Sequence, residues 1–159
     1  MVFSQAQDGS NSTYIEFTAS NTLEVFSGVS GVNLRLITNR TFEDTSKFYH
    51  ILVAIDTTQS TASNRAKLYV DGDQMTSFST ETYPSQDYNT WVNHTVETAV
   101  GNWISTGYAT DGYIAEFNLV DGQSLLPASF GVVDSSTGRW IPAQVKPHPT
   151  TTTTYLVTV

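Results

Sequence analysis

The sequence predicts an all-β protein, a sandwich of antiparallel sheets, and three observations carry that expectation. Apolar and polar residues alternate in several short segments, as on strands with one face buried. The composition is rich in Thr, Ser, Tyr, Val and Phe and has few Ala-Leu-Glu-Lys runs at helical spacing. The stretch 48–78 reads as strands joined by one long loop and one tight turn, Asp71-Gly72-Asp73. A type I′ turn needs positive φ at both central residues, which Gly adopts freely and Asp tolerates better than most.

Each element follows from the same rules. Segment 12–19 sets Ile15 and Phe17 on one face and Tyr14, Glu16 and Thr18 on the other. Segments 22–26 and 33–38 repeat the period with Leu23 and Val25, then Leu34 and Leu36, and Gly28 and Gly31 mark the turn between them, so the three form a meander. Segment 49–55 is apolar on both faces and is expected to be a central strand that anchors the sandwich. Segments 67–70 and 74–78 flank the Asp-Gly turn, and 79–95 lacks a clean period and reads as a loop excursion. Segments 97–103 and 112–120 are expected to be sheet-central strands, Pro127 suits one helical turn within 125–130, and Trp140-Ile141 is a short strand. Domain organisation is then a sandwich over 1–145 and a Pro/Thr-rich extended tail over 146–159. The tail holds Lys146-Pro147-His148-Pro149, five threonines and the apolar run Tyr155-Leu156-Val157-Thr158-Val159. Proline and β-branched threonine keep such a segment extended. Its last residues, Tyr155, Leu156, Val157 and Val159 among them, are expected to pair as an assembly strand with a sheet edge, either this chain's own or a neighbouring subunit's.

The strand 48–56, the Lys67-Leu68-Tyr69-Val70-Asp71-Gly72 hairpin and the block from Asp111-Gly112-Tyr113 to Asp121-Gly122-Gln123 resemble the laminin-G-like, concanavalin A-like lectin/glucanase superfamily. Tyr83-Pro84-Ser85-Gln86, Pro127-Ala128-Ser129-Phe130-Gly131 and Gly138-Arg139-Trp140-Ile141-Pro142 look like such modules in bacteriophage tail and fibre proteins. The resemblance spans roughly 3–145. It implies an antiparallel jelly-roll β-sandwich and a place on a virion surface. Such modules usually begin with one or more strands upstream of this opening, which implies that a sheet edge is missing.

Composition bounds the function. The 159 residues suit one domain, and 39% hydrophobic residues supply one core. Without cysteine there is neither a disulfide framework nor a thiolate metal site. A net charge of −8 with only seven Lys and Arg argues against nucleic acid, whose phosphates demand basic clusters. No apolar run approaches the roughly 20 residues that span a bilayer, so no membrane insertion is expected, and the N-terminus lacks the pattern of a signal peptide. The sequons at Asn11, Asn39 and Asn93 read as chance in so Thr-rich a chain.

Catalysis by paired carboxylates, as in glycoside hydrolases, finds its nearest candidate in Glu116, with no second acid on the same strand face. His50, His94 and His148 lack the surroundings of a nucleophilic assembly. A non-enzyme is expected. Glycan recognition needs aromatic rings and amide or carboxylate side chains, and Tyr83, Asp87, Tyr88, Asn89, Trp91, Asn93 and His94 concentrate those types in one loop, with Trp103 and Tyr108 beyond it. The alternative is that Tyr88 and Trp91 pack down to tie the loop in place, or meet a neighbouring subunit. The resemblance implies calcium in many members; Asp71, Asp73, Asp111 and Asp121 supply oxygens here without a recognisable spacing. The expected function is a non-catalytic adhesion module of a phage fibre, tail or capsid decoration that binds host glycans or surface polymers. The alternative is a purely structural virion protein binding other subunits, with a glycoside hydrolase third. A homo-oligomer, presenting several weak sites at once, is expected for either virion role.

Overall fold

A computed structural model describes residues 1–92, 94–104, 108–143 and, as backbone, 154–158. The first sheet is built from β1 (Phe3–Asp8), β2 (Asn11–Phe17), β3 (Thr22–Gly28) and β4 (Val32–Thr41). The second begins with β5 (His50–Ile55), β6 (Ala66–Val70) and β7 (Asp73–Gln74). The chain then returns to the first sheet with β8 (Phe78–Thr82) and β9 (Thr98–Val100), and goes back to the second with β10 (Phe117–Val120). A hairpin of β11 (Gly131–Val133) and β12 (Trp140–Pro142) precedes β13 (Thr154–Thr158). The strand orders are β8-β4-β3-β2-β1-β9 and β10-β13-β5-β6-β7, all antiparallel.

The core lies between the two sheets because each strand's period-two pattern turns one apolar row inward. Phe3, Ile15, Leu23, Val25, Leu34 and Leu36 come from the first sheet and meet Ile51, Val53, Ile55, Leu68 and Val70 of the second. Strand β5 is buried throughout, as its continuous apolar run predicts. Its other row, Leu52 and Ala54, joins Tyr69 under Phe130, which the short helical turn Pro127–Ser129 and the β11–β12 hairpin hold against the sheet.

The Asp-Gly hairpin forms as its chemistry requires: Asp71 and Gly72 have φ of 55° and 89°, and Val70 pairs with Asp73. The expected strand 74–78 does not continue. Its first residue ends β7, Met75 turns into the core, and Phe78 begins β8 on the opposite sheet, so the expected loop 79–95 starts with a strand. Segments 97–103 and 112–120 shrink to β9 and β10, and both are edges of their sheets rather than central strands. Gly101, at φ 76°, ends the first, and Glu116, at φ 59°, holds a left-handed conformation outside the β region just before the second. Strand β1, absent from the sequence reading, fills an interior place between β2 and β9. The end of the tail pairs within the chain: Tyr155, Leu156 and Val157 lie opposite Val53, Leu52 and Ile51 on one side and Leu119, Asn118 and Phe117 on the other. Val159 lies outside the described residues.

Candidate functional site

The aromatic loop that the sequence singles out closes one part of the sandwich. Tyr83 packs against the core and donates its hydroxyl to Glu81 Oε1 at 2.6 Å; burial and that carboxylate push the phenol up to about 12. The Tyr88 hydroxyl lies 3.2 Å from Ser27 Oγ, itself buried and 2.8 Å from Thr13 Oγ1, and burial raises this phenol too. Trp91 is half-buried, packs at a tilt against His94 with centroids 4.4 Å apart, and hides an indole N–H that makes no hydrogen bond among the described residues. The next residue, Val92, is in the core, and the His94 carbonyl accepts from Gln5 Nε2 at 2.8 Å. Asp87 and Asn89 are exposed, whereas Asn93 lies outside the described residues. Trp103 packs edge-on against Tyr14 at 5.8 Å, and Tyr108 is exposed. Tyr83, Tyr88 and Trp91 thus anchor the loop, and among the described residues no cluster of open rings gathers on it.

Open rings occur elsewhere. A cleft of about 280 Å³ lies where the β4–β5 connection meets residues 110–113. Its floor is a ladder of edge-to-face rings, Phe17 to Phe42 at 5.6 Å and Phe42 to Tyr49 at 5.2 Å. Phe48 and Tyr113, 54% and 85% exposed, stand on its walls. Asp44, Thr45, Ser46 and Asp111 supply polar groups at the same cleft. Asp44 Oδ1 accepts from the Ser46 hydroxyl at 2.6 Å and the Ser46 N–H at 3.0 Å, and those bonds hold its carboxyl below the usual range. The Lys47 ammonium lies 4.6 Å above the Tyr49 ring and 3.7 Å from Asp71 Oδ2. Apolar ring faces beside hydroxyls and carboxylates are what a sugar requires.

The outer face of the first sheet holds a polar network that the strand-by-strand search for acids missed. Glu16 and Glu24 are directly paired across β2 and β3. Glu24, 4% exposed, accepts from Arg35 Nε at 2.9 Å and from the Tyr14 hydroxyl at 3.2 Å. Tyr14 stacks on Phe26 at 4.8 Å. Burial, then the charge of Glu24, raises the Glu16 carboxyl above its ordinary value. Glu116, by contrast, is exposed just before β10.

The structure places the four acids considered for calcium as follows. Asp71 Oδ1 accepts the His50 N–H at 3.0 Å and its other oxygen faces Lys47, Asp73 is exposed in β7, Asp111 is at the cleft, and Asp121 follows β10. Among the described residues no three acidic or histidine side chains gather to hold a metal.

A family model described as the concanavalin A-like lectin/glucanases superfamily matches residues 1–127. The chain belongs to this superfamily. No curated protein and no solved structure matches it. A lectin/glucanase-type domain fits a carbohydrate-binding or adhesion module, and the superfamily includes glycosidases as well as lectins. Strands β1 to β10 and the cleft lie within the match; β11, β12 and β13 lie beyond it. No helix among the described residues is long and apolar enough to cross a membrane.

Proposed function

We propose that this chain is a non-catalytic carbohydrate-binding module, an adhesion domain on a bacteriophage particle that holds a host glycan or surface polymer in the cleft between Phe48 and Tyr113. The observation that carries the reading is the exposure of those two rings over an aromatic floor. Large apolar rings left in water on the wall of a cleft usually mark a binding surface. The resemblance to phage tail and fibre modules supports the virion setting, where several copies in one oligomer would raise weak single-site affinity by avidity.

Two observations keep other readings in play. Val132 and Ile141, opposed across the β11–β12 hairpin, are both exposed, which favours a structural virion protein that binds other subunits through this strip. The Glu16–Glu24 pair favours a hydrolase, although Glu24 is committed to Arg35 and Tyr14. The deciding experiment is a panel of bacterial surface glycans probed with the wild type and with a Phe48→Ala/Tyr113→Ala variant. Selective binding lost in the variant supports the adhesion reading. A folded wild type that binds no glycan contradicts it, and Val132→Asp should then weaken self-association or particle binding. Release of reducing ends that Glu16→Gln abolishes would move the protein to the hydrolases.

A further inference from the structure

We infer that the cleft selects saccharides that carry a free, protonated amine over N-acylated and uncharged ones. This rests on the carbohydrate reading above and narrows it to a ligand class. The rings at this end of the sandwich already attract cations. The Arg40 guanidinium lies 4.9 Å from the Phe42 centroid, and the Lys47 ammonium 4.6 Å from that of Tyr49. The rings of Phe48 and Tyr113 remain exposed.

The charges around those rings point the same way. Lys47 lines the cleft with its ammonium between Tyr49 and Asp71, and its charge reaches Asp44 as well. Asp44 and Asp111 are acids on the same cleft, and Asp111 makes no hydrogen bond or ion pair among the described residues. The Ser46 bonds keep Asp44 ionised well into acid. Against a chain of net charge −8, polyanionic glycans are repelled and a cationic one is drawn in. A pyranose ring lying flat on Tyr113 or Phe48 brings an amine substituent to the cleft rim, where a carboxylate can accept its N–H. Acylation removes the charge and weakens both the ring and the carboxylate contact, whereas the apolar face of the sugar is kept.

The test compares β-linked glucosamine oligomers with their N-acetylated counterparts and with plain glucan oligomers of the same length, by calorimetry at about pH 5.5, where the sugar amine is protonated. The free-amine oligomer is expected to bind about tenfold tighter than either neutral one, since an exposed ion pair and a cation–π contact each add a modest increment. That preference should shrink in Asp111→Asn, in Asp44→Asn, which keeps the acceptor for Ser46, and in raised salt. Both variants change exposed carboxylates, and a thermal melt alongside confirms that they fold. Equal binding of all three oligomers, lost in Tyr113→Ala, would overturn the amine preference and leave the carbohydrate reading standing. No oligomer bound by the folded wild type would overturn both. Binding of the amine alone that persists in Asp44→Asn/Asp111→Asn would remove the cleft acids from the account and overturn the inference.

Discussion

The loop 83–97 and the cleft at Phe48 and Tyr113 are both aromatic, and they use their rings in opposite ways. In the loop the rings are close in sequence and turned inward: Tyr83 on the core, Tyr88 bonded to Ser27, Trp91 folded on His94 with Val92 buried behind it. In the cleft the rings come from separate segments, and the two on the walls stand in water. A run of aromatics in an irregular segment must bury area to offset the entropy of ordering it, so local density of rings signals anchoring. Ligand-facing rings have no such need for one another in sequence and are assembled by the fold.

That contrast can be broken by substitution. Trp91→Ala should give the largest effect, a loss of about 2–4 kcal/mol in urea unfolding with saccharide binding by the folded fraction unchanged. A binding loss without destabilisation would reverse the assignment of the two regions. Another covered ring provides the next test. The Trp140 ring centroid lies 4.6 Å from that of His50, which is 3% exposed, whose ring nitrogens make no hydrogen bonds among the described residues, and whose pKa burial pushes down from 6.5 to about 4 against the opposing pull of Asp71. The unfolded chain therefore takes up a proton near pH 6.5 that the folded chain refuses until about pH 4. Stability should fall across that window as pH drops, by on the order of 2–3 kcal/mol from this group, and level off below it. In His50→Phe that part of the pH slope should vanish, as urea midpoints measured across the window would show; an unchanged slope would mean that His50 titrates normally.

Smaller effects separate the regions more finely. Tyr88→Phe removes one hydroxyl contact to Ser27 and should cost about 1 kcal/mol without touching binding. Phe48→Ala and Tyr113→Ala should each change stability by less than about 0.5 kcal/mol, the scale of surface substitutions, yet weaken saccharide binding strongly. If either proved as destabilising as Trp91→Ala, the cleft would be a packing feature rather than an open site.

The fold was largely legible because period-two burial is a local signal. Strands β2 to β6, the Asp71-Gly72 turn and the turn at Pro127 all follow from neighbours in sequence. What was not legible depends on partners far along the chain. Strand β1 gains its place from β2 and β9, and residue Phe78 belongs to the first sheet only because β4 is there to receive it. For the same reason the alternation at 112–120 overstated its strand. Tyr113 alternates with Ile114 as strand residues do, but its neighbours lead along the cleft and Glu116 breaks the extended path. The acid pair shows the limit most plainly. Glu16 and Glu24 sit on different strands, so a search for two carboxylates along one strand passes them by, and only the register of β2 against β3 brings them opposite. Asp111 was visible as an acid beside Gly112, but its company with Asp44, Phe48 and Tyr113 is a property of the folded chain.

The central claim, that the ligand is held at the open cleft and not at the aromatic loop, is tested most directly by titrating a bound oligosaccharide into isotope-labelled protein and mapping which amide signals move. The account predicts shifts concentrated at 44–49 and 110–113, with 85–94 still. Shifts concentrated at 85–94, or around Tyr14 and Glu24 on the outer face of the first sheet, would contradict it.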